Sequence, residues 1–306
     1  MDRLRNLVES QQFSRELLDQ LFITADDMRK NPGKYSDFMK GKIMVVFFYE
    51  ESSRTRGSFQ SAMLRLGGNV IATDDARFSS VAKGESFEST IMTISEQGDL
   101  LVLRHNEVGS SDLAAKLTDK PVINAGDGRG QHPTQALLDV YTIQRELGSV
   151  DGKRIAIVGD LANGRTVRSL AYLSSRYKDM HLTFVAPPRL RIGNDIKAHL
   201  VKNNVPFVED TDLNKVLPDA DVIYMTRIQK ERMSAEDYND SKGLYGIDER
   251  NLHLVRPDAR VMHPLPYVEE IKLPLTTEMK DPRIAYFRQA HNGTFARMAL
   301  LHHLFS

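Results

Sequence analysis

Short apolar runs recur along this chain of 306 residues and alternate with stretches of helical periodicity. Each run is apolar along most of its length, which is typical of a parallel strand that is covered on both faces. A chain that alternates strands and helices in this way is built from βαβ units, so the sequence predicts an α/β fold. The predicted strands are Ile43–Phe48, Val70–Thr73, Leu100–Leu103, Val122–Asn124, Ile155–Val158, Leu182–Val185 and Val222–Met225.

The stretches between the strands place apolar residues on one helical face, as Leu137, Val140 and Tyr141 do in one of them. The predicted helices are Arg54–Leu66, Ser86–Gln97, Pro133–Leu147, Arg165–Tyr177 and Asp195–Asn203, with a last helix over Asn292–Phe305.

The length of the chain fits two domains of about 150 residues each. Gly148 can end the helix that begins at Pro133, because glycine is favoured as a helix C-cap residue, and a new strand opens soon afterwards. The sequence therefore predicts two doubly wound parallel-sheet domains over residues 1–148 and 149–288. We expect the C-terminal helix, about 289–306, to pack back on the first domain, and the active site to lie in the cleft between the domains.

Charge and cysteine content exclude several classes of function. The 41 Lys and Arg residues balance 41 Asp and Glu residues, so a whole-surface attraction to nucleic acid or to an anionic membrane is not indicated. The absence of cysteine excludes disulfides, thiolate metal sites and cysteine nucleophiles. The charged N-terminus does not resemble a signal peptide, and no apolar run approaches the roughly 18 residues of a membrane span. We expect a cytoplasmic protein.

Hydroxyl groups and cations are concentrated in Ser52–Arg56, which follows the predicted strand Ile43–Phe48 and opens a helix. A helix N-terminus attracts anions through its N–H groups and its dipole. Arg54 and Arg56 add guanidinium groups whose geometry matches phosphate oxygens. The segment predicts an anion pocket, and the alternative is an ordinary N-cap followed by two surface arginines.

Glycines and polar side chains also follow the strand Val122–Asn124. The glycines between Asn124 and Gln135 permit a tight loop, and Pro133 fits the first turn of the next helix. His132 and Gln135 then lie at the carboxyl end of a strand, where α/β proteins usually bind ligands.

Three later segments also place candidate ligand-binding residues shortly after a predicted strand. Arg165 follows the strand Ile155–Val158 and has the geometry to bind a carboxylate through two N–H groups, although a structural arginine explains that segment equally well by itself. Arg227 and Gln229 follow the strand Val222–Met225. The prolines of the loop His263–Tyr267 leave carbonyl groups available to a ligand NH₂ group.

Together these segments resemble the catalytic chains of aspartate carbamoyltransferases, within the aspartate/ornithine carbamoyltransferase superfamily. The likeness runs from Phe48 to Leu301, in the family's order and spacing. A series of such motifs is far more specific than any one of them. The matching motifs are Ser52–Arg56, Arg104–His105, Asp127–Gln135, Gly159–Thr166, Thr226–Glu231, His263–Pro266 and Phe287–Gly293.

The resemblance implies that carbamoyl phosphate and L-aspartate give N-carbamoyl-L-aspartate and phosphate, an early step of pyrimidine biosynthesis. Carbamoyl phosphate is an activated acyl donor, so the reaction needs no covalent nucleophile, metal or cofactor. The resemblance also implies a homotrimer with shared active sites. It leaves open whether separate regulatory chains bind.

The family's residue roles transfer to matching positions in this chain. The implied catalytic residues are Arg54, Thr55, Arg104 and His132. The implied carbamoyl phosphate ligands are Ser52, Ser53, Arg54, Thr55, Arg104, His132, Gln135 and the carbonyl groups of Pro264 and Leu265. The implied aspartate ligands are Arg165, Arg227 and Gln229, and Ser80 and Lys83 match a loop that enters a neighbouring chain's site.

Two departures from the family's pattern keep a second hypothesis open. Glu51 replaces a small residue or proline, and Tyr267 replaces an arginine that is common after His-Pro-Leu-Pro. These changes suggest, as the alternative, a carbamoyltransferase that uses a different amine acceptor. Ornithine is disfavoured as that acceptor because two arginines for carboxylate binding are present.

Overall fold

The computed structural model describes residues 4–73, 83–230, 233, 236, 238 and 242–306. The chain divides into two compact units, one formed by Met1–Leu138 with Asn292–Ser306 and the other by Asp139–His291. No helix of the described part has both the length and the apolarity that a membrane crossing requires.

The first unit is built on a four-stranded parallel sheet. Its strands are β1 (Ile43–Phe48), β2 (Asn69–Thr73), β3 (Leu100–His105) and β4 (Val122–Asp127), and its helices are α1 (Arg15–Lys30), α2 (Ser53–Arg65), α3 (Phe87–Ser95) and α4 (Ser110–Leu117). Helix α5 (Pro133–Leu147) begins in this unit. The strand order is β2-β1-β3-β4.

The register of this sheet brings three chain segments to one edge. Phe48 lies opposite Arg104 in the β1–β3 pair, and His105 lies opposite Asp127 in the β3–β4 pair. The interior residues of β1, β3 and β4 are buried, as expected for strands covered on both faces. Because the three strands are parallel neighbours, the segments that follow them start at the same edge of the sheet.

The second unit contains a five-stranded parallel sheet and a two-stranded one. Its strands are β5 (Arg154–Val158), β6 (His181–Val185), β7 (Phe207–Asp210), β8 (Val222–Met225), β9 (Ile247–Asp248), β10 (Arg260–Met262) and β11 (Ile271–Lys272). Its helices are α6 (Arg165–Ser174), α7 (Asn194–Lys202), α8 (Leu213–Val216) and α9 (Leu275–Lys280), and α10 (Tyr286–Phe305) begins here and ends in the first unit. The order of the large sheet is β10-β8-β5-β6-β7, and β11 pairs with β9.

The predicted α/β architecture, with two parallel-sheet units, is confirmed. All seven predicted strands are present, and β1, β8 and α5 have the predicted ends. Helix α10 begins at Tyr286 rather than at Asn292. The sequence does not predict α1, α4, β7 and the short strands β9 and β11.

Candidate active site

The start of α2 presents hydroxyl and guanidinium groups directly after β1. Ser52 is the N-cap residue, and its side chain makes no capping hydrogen bond to the described residues of the helix. Thr55 is buried, whereas Ser53 and Arg54 are exposed. An anion at this terminus would meet the N–H groups of the first helical turn, the helix dipole and a guanidinium group.

Arg104 lies at the end of the neighbouring strand β3, beside the segment that leads into α2. Its carbonyl oxygen accepts a hydrogen bond from Tyr49 N at 2.9 Å. Its Nε lies 3.3 Å from Glu50 Oε2 in an ion pair, and its Nη1 donates to Ala125 O at 3.4 Å. The guanidinium group is therefore held between Glu50, which follows β1, and the backbone of Ala125 in β4. The sequence does not predict this role of Glu50.

His105, the last residue of β3, is a buried neutral imidazole. Its Nδ1 accepts a hydrogen bond from Glu107 N at 3.0 Å, so this nitrogen carries no proton. Burial lowers the pKa of His105, against the opposing effect of nearby carboxylates. The ring also packs edge-on against Tyr49, with a centroid distance of 4.3 Å. His105 thus supports the strand ends without adding a charge to them.

The loop between β4 and α5 is fixed by Asp127. Its Oδ1 accepts from Gln131 N at 2.6 Å, and its Oδ2 accepts from Gly109 N at 2.8 Å. Gly128 has a φ of +48°, and a Cβ atom there would lie 2.4 Å from Asn106 O. The close approach of two backbone segments therefore requires glycine at this position.

His132 and Gln135 lie at the end of this loop, and both are buried. His132 directly precedes α5, and its Nδ1 lies 3.4 Å from Thr134 Oγ1. Gln135 lies in the first turn of α5. The first unit therefore brings together, at one edge of its sheet, all of its predicted donor ligands: Ser52, Ser53, Arg54, Thr55, Arg104, His132 and Gln135.

In the second unit, the ends of β5 and β8 are in close contact. Thr226 N and Thr226 Oγ1 both donate to Val158 O at 2.8 Å. Gly159 has a φ of +116°, and a Cβ atom there would lie 2.2 Å from Thr226 O. This contact fixes the backbone of the residue immediately before Arg227.

Asp160 joins the turn after β5 to the segment after β8. Its buried carboxylate accepts from Asn163 N through Oδ1 at 3.0 Å and from Gln229 N through Oδ2 at 3.3 Å. Arg165 is the first residue of α6 and is also buried. The sequence assigns no role to Asp160, although its position at a strand end was a usable signal.

A cavity of about 220 Å³ lies within the second unit beside these strand ends. Arg227, Lys230 and Lys242 line it, together with the carboxylates of Glu269 and Glu270. Among the described lining residues, three cations outnumber two carboxylates, which favours an anionic ligand.

Pro264 and Leu265 follow β10, the strand next to β8, and both are partly buried. The second unit therefore groups Arg165, Arg227, Gln229, Pro264 and Leu265 at the carboxyl ends of three neighbouring strands.

Three further predicted positions have different surroundings. Lys83 is exposed and lies before α3, whereas Ser80 lies outside the described residues. Glu51 is exposed, and Tyr267 donates its hydroxyl hydrogen to Glu278 Oε2 at 2.9 Å. Among the described residues, no group of three or more His, Asp and Glu side chains is arranged to hold a metal ion.

Comparison with known proteins places both units in one family. Residues 5–145 match the model of the aspartate/ornithine carbamoyltransferase, carbamoyl-P binding domain. Residues 151–304 match the model of the aspartate/ornithine carbamoyltransferase, Asp/Orn binding domain. The two matches together span nearly the whole chain.

Individual relatives are similar along almost the whole of this chain. Aspartate carbamoyltransferase 1, chloroplastic, from Pisum sativum is 50% identical over 98% of this chain and 78% of its own. The aspartate carbamoyltransferase catalytic subunit of Clostridium novyi is 44% identical over 97% of this chain and 96% of its own. The crystal structure of aspartate transcarbamoylase from Trypanosoma cruzi in complex with N-(phosphonacetyl)-L-aspartic acid has a TM-score of 0.92 and 39% identity, covering 99% of this chain and 96% of that one.

Proposed function

The chain belongs to the aspartate/ornithine carbamoyltransferase family, and from this premise we propose how its residues transfer a carbamoyl group. The chain is a carbamoyltransferase that uses carbamoyl phosphate as donor and L-aspartate as acceptor. The products are N-carbamoyl-L-aspartate and phosphate.

The observation that carries the residue assignment is the composition of two sheet edges. At one edge, the start of α2 and Arg104 offer hydroxyls, N–H groups and guanidinium groups to a phosphate. At the other edge, Arg227 and two lysines line a cavity suited to an anionic acceptor. Each edge is formed by the ends of three neighbouring parallel strands, which is where α/β proteins bind ligands.

In the proposed donor site, the phosphate of carbamoyl phosphate binds at the start of α2, to Ser52, Ser53, Arg54 and Thr55. Arg54 stabilises the negative charge that grows on phosphate as it leaves. The carbamoyl oxygen accepts hydrogen bonds from Thr55, Arg104 and His132. Donors aimed at an oxygen that becomes anionic lower the barrier, because they need no reorganisation during the reaction.

In the proposed acceptor site, Arg165, Arg227 and Gln229 bind the two carboxylates of aspartate. The amine nitrogen forms a bond to the carbamoyl carbon, and the carbonyl electrons move to oxygen to give a tetrahedral anion. This anion collapses as the bond to the phosphate oxygen breaks, and the proton that the amine loses passes to the leaving phosphate. Gln135 and the carbonyl groups of Pro264 and Leu265 orient the carbamoyl amino group, so positioning and electrostatics supply the catalysis.

The direct test is a turnover assay on purified protein. With carbamoyl phosphate and L-aspartate, we expect release of phosphate and formation of N-carbamoyl-L-aspartate in equal amounts. L-ornithine at the same concentration is the matched control, and we expect it to give no product. Product with ornithine and none with aspartate, from folded protein that binds carbamoyl phosphate, would contradict the acceptor assignment.

We further propose a homotrimer with shared active sites, a place in pyrimidine biosynthesis and a cytoplasmic location. What supports the trimer and the pathway is the family resemblance, and the exposed position of Lys83 before α3 also supports shared sites. Chains that carry Lys83→Ala and chains that carry Arg54→Ala should each be nearly inactive. Mixed and reassembled, they should regain part of the activity, and no recovery after confirmed subunit exchange would argue against shared sites.

A further inference from the structure

The imidazole of His263 is buried at the start of the loop that carries Pro264 and Leu265. Its Nδ1 accepts a hydrogen bond from Leu265 N at 2.8 Å, and its Nε2 lies 2.9 Å from Glu270 Oε1. Because Nδ1 is an acceptor, the ring hydrogen lies on Nε2 and is donated to Glu270. Glu270 therefore selects the one tautomer of His263 that can accept from Leu265.

Glu270 is well suited to hold this tautomer. Burial by itself raises the pKa of the Glu270 carboxyl group, but the hydrogen bonds that it accepts from His263 and from backbone N–H groups outweigh burial and hold the pKa below its ordinary value. The backbone N–H groups of Val268 and Glu269 also donate to this carboxylate, at 3.3 and 3.0 Å. Glu270 is thus an ionised acceptor whose position is fixed by several donors.

The hydrogen bond to His263 stabilises an unfavourable backbone conformation. Leu265 has a φ of +57°, in the left-handed region that residues with a side chain seldom adopt. Such a conformation persists only where the surroundings determine it, and the Leu265 N–H bond to His263 is the contact that does so here.

This hydrogen bond also sets the direction of a carbonyl group. Pro264 C=O and Leu265 N–H belong to the same planar peptide group, and in a trans peptide they point in opposite directions. Because Leu265 N–H points at His263, the Pro264 carbonyl points away from it. The orientation of the imidazole therefore determines the direction of the Pro264 carbonyl group, which is one of the proposed ligands of carbamoyl phosphate.

The backbone of His263 is anchored by a second set of buried hydrogen bonds. His263 N donates to Gln289 Oε1 at 2.8 Å, and Gln289 Nε2 donates to Asp139 Oδ1 at 2.7 Å. Tyr224 donates its hydroxyl hydrogen to Asp139 Oδ2 at 2.7 Å. The loop is thereby tied to α10, α5 and β8, so that neither its backbone nor its imidazole is free to turn.

We propose that His263 is a positioning residue for the donor: held by Glu270 and Gln289, it orients the Pro264 carbonyl group, which is one of the two carbonyl groups proposed to bind the carbamoyl amino group. This inference rests on the proposed function and adds to it a residue that acts through the peptide backbone. His263 itself is not required to touch the substrate.

Two substitutions of His263 distinguish the contribution of Nδ1 from that of Nε2. In His263→Asn, the side-chain oxygen lies near the former Nδ1 and still accepts from Leu265 N. In His263→Gln, the longer amide reaches Glu270 but leaves Leu265 N–H without its acceptor. We expect His263→Gln to weaken carbamoyl phosphate binding about tenfold, as the loss of one buried hydrogen bond predicts. His263→Asn should change it less than about threefold.

The readouts distinguish positioning from a general loss of structure. Carbamoyl phosphate affinity is measured by calorimetry, and KM for carbamoyl phosphate is measured at saturating aspartate. Inorganic phosphate inhibition and KM for aspartate are the controls, because their proposed ligands are other residues. We expect both controls to be unchanged in both variants.

Equal donor affinity in the wild type and His263→Gln would overturn the proposal, and so would an equal loss in both variants. If His263→Gln does not fold, Gln289→Met tests the other anchor of His263, since it removes the acceptor of His263 N. An unchanged donor affinity in that variant would also overturn the proposal. Wild-type protein that binds carbamoyl phosphate without turnover would contradict the proposed function alone, and absence of binding would contradict both.

Discussion

Replacing Gly159 by alanine should damage the acceptor site through a clash between two strand ends. The position imposes two separate penalties on a side chain. Its φ of +116° is unfavourable for any residue with a Cβ atom, and that atom would lie 2.2 Å from Thr226 O and 2.7 Å from Thr226 Oγ1. The first neighbour is a backbone atom, so no rotation of a flexible side chain relieves the contact.

Gly152 provides a matched control at the other end of the same strand. It has a φ of +75°, and no described atom lies within 4 Å of a Cβ built there. Gly152→Ala should therefore cost only the backbone penalty, about 1–2 kcal/mol. Gly159→Ala adds overpacking of about 1–3 kcal/mol, which gives a total of roughly 2–5 kcal/mol.

The assay combines thermal unfolding with steady-state kinetics. For a unit of this size, the expected loss corresponds to a fall in Tm of roughly 5–15 °C for Gly159→Ala and a few degrees for Gly152→Ala. Because Thr226 directly precedes Arg227, relief of the clash displaces an acceptor ligand. KM for aspartate should rise in Gly159→Ala and stay unchanged in Gly152→Ala. The same Tm and the same aspartate KM in both variants would refute the clash as the cause.

Three further predictions concern a proposed catalytic arginine, a buried hydrogen bond and a partly buried carboxylate. Arg54→Ala should lower kcat by about 10²–10³, because the charge on the leaving phosphate is no longer stabilised. Arg65→Ala is the control, since Arg65 lies at the exposed end of the same helix, and it should leave kcat unchanged. Tyr224→Phe removes a 2.7 Å hydrogen bond to the Asp139 carboxylate and should destabilise the protein to thermal unfolding by about 1.5–3 kcal/mol. Burial raises the pKa of Glu146, but hydrogen bonds from two arginines outweigh it and keep the pKa below its ordinary value. The paired carboxylate therefore stabilises the fold above the unfolded pKa of about 4.3, and the Tm deficit of Glu146→Gln at pH 7 should shrink as the pH falls below that value.

The sequence predicts those elements whose signal is local. β1 and β8 are continuous apolar runs, and α5 has a proline at its start and a glycine after its end. β7 is not predicted from the sequence, because it is the edge strand of the described sheet and half of its residues are charged, so it is not a continuous apolar run. Helix α1 carried a usable signal, since its apolar residues repeat at helical spacing and Ser14 caps it by accepting from Leu17 N.

The candidate site also has one part that local sequence signals predict and another part that they do not. Residues that follow parallel strands can be grouped from sequence, because strand ends in one sheet meet at one edge. The partners that hold them are separated from them by long stretches of chain and follow no periodicity. Asp139 and Gln289 act on the loop after β10 only because the fold brings α5 and α10 beside it. Such contacts depend on tertiary packing, which a local sequence pattern does not indicate.

The charged residues that line the second unit's cavity, rather than the two unusual residues, support the proposed choice of aspartate as acceptor. Tyr267 uses its hydroxyl hydrogen on Glu278, and neither Tyr267 nor Glu51 is among the described residues that line the cavity. An amine acceptor with a second ammonium group, as in ornithine, would place a cation beside Arg227 and two lysines. The second carboxylate of aspartate is attracted by the same charges, because opposite charges attract. The described lining of the cavity therefore favours aspartate over an acceptor with a second ammonium group, and Tyr267 takes no part in that lining.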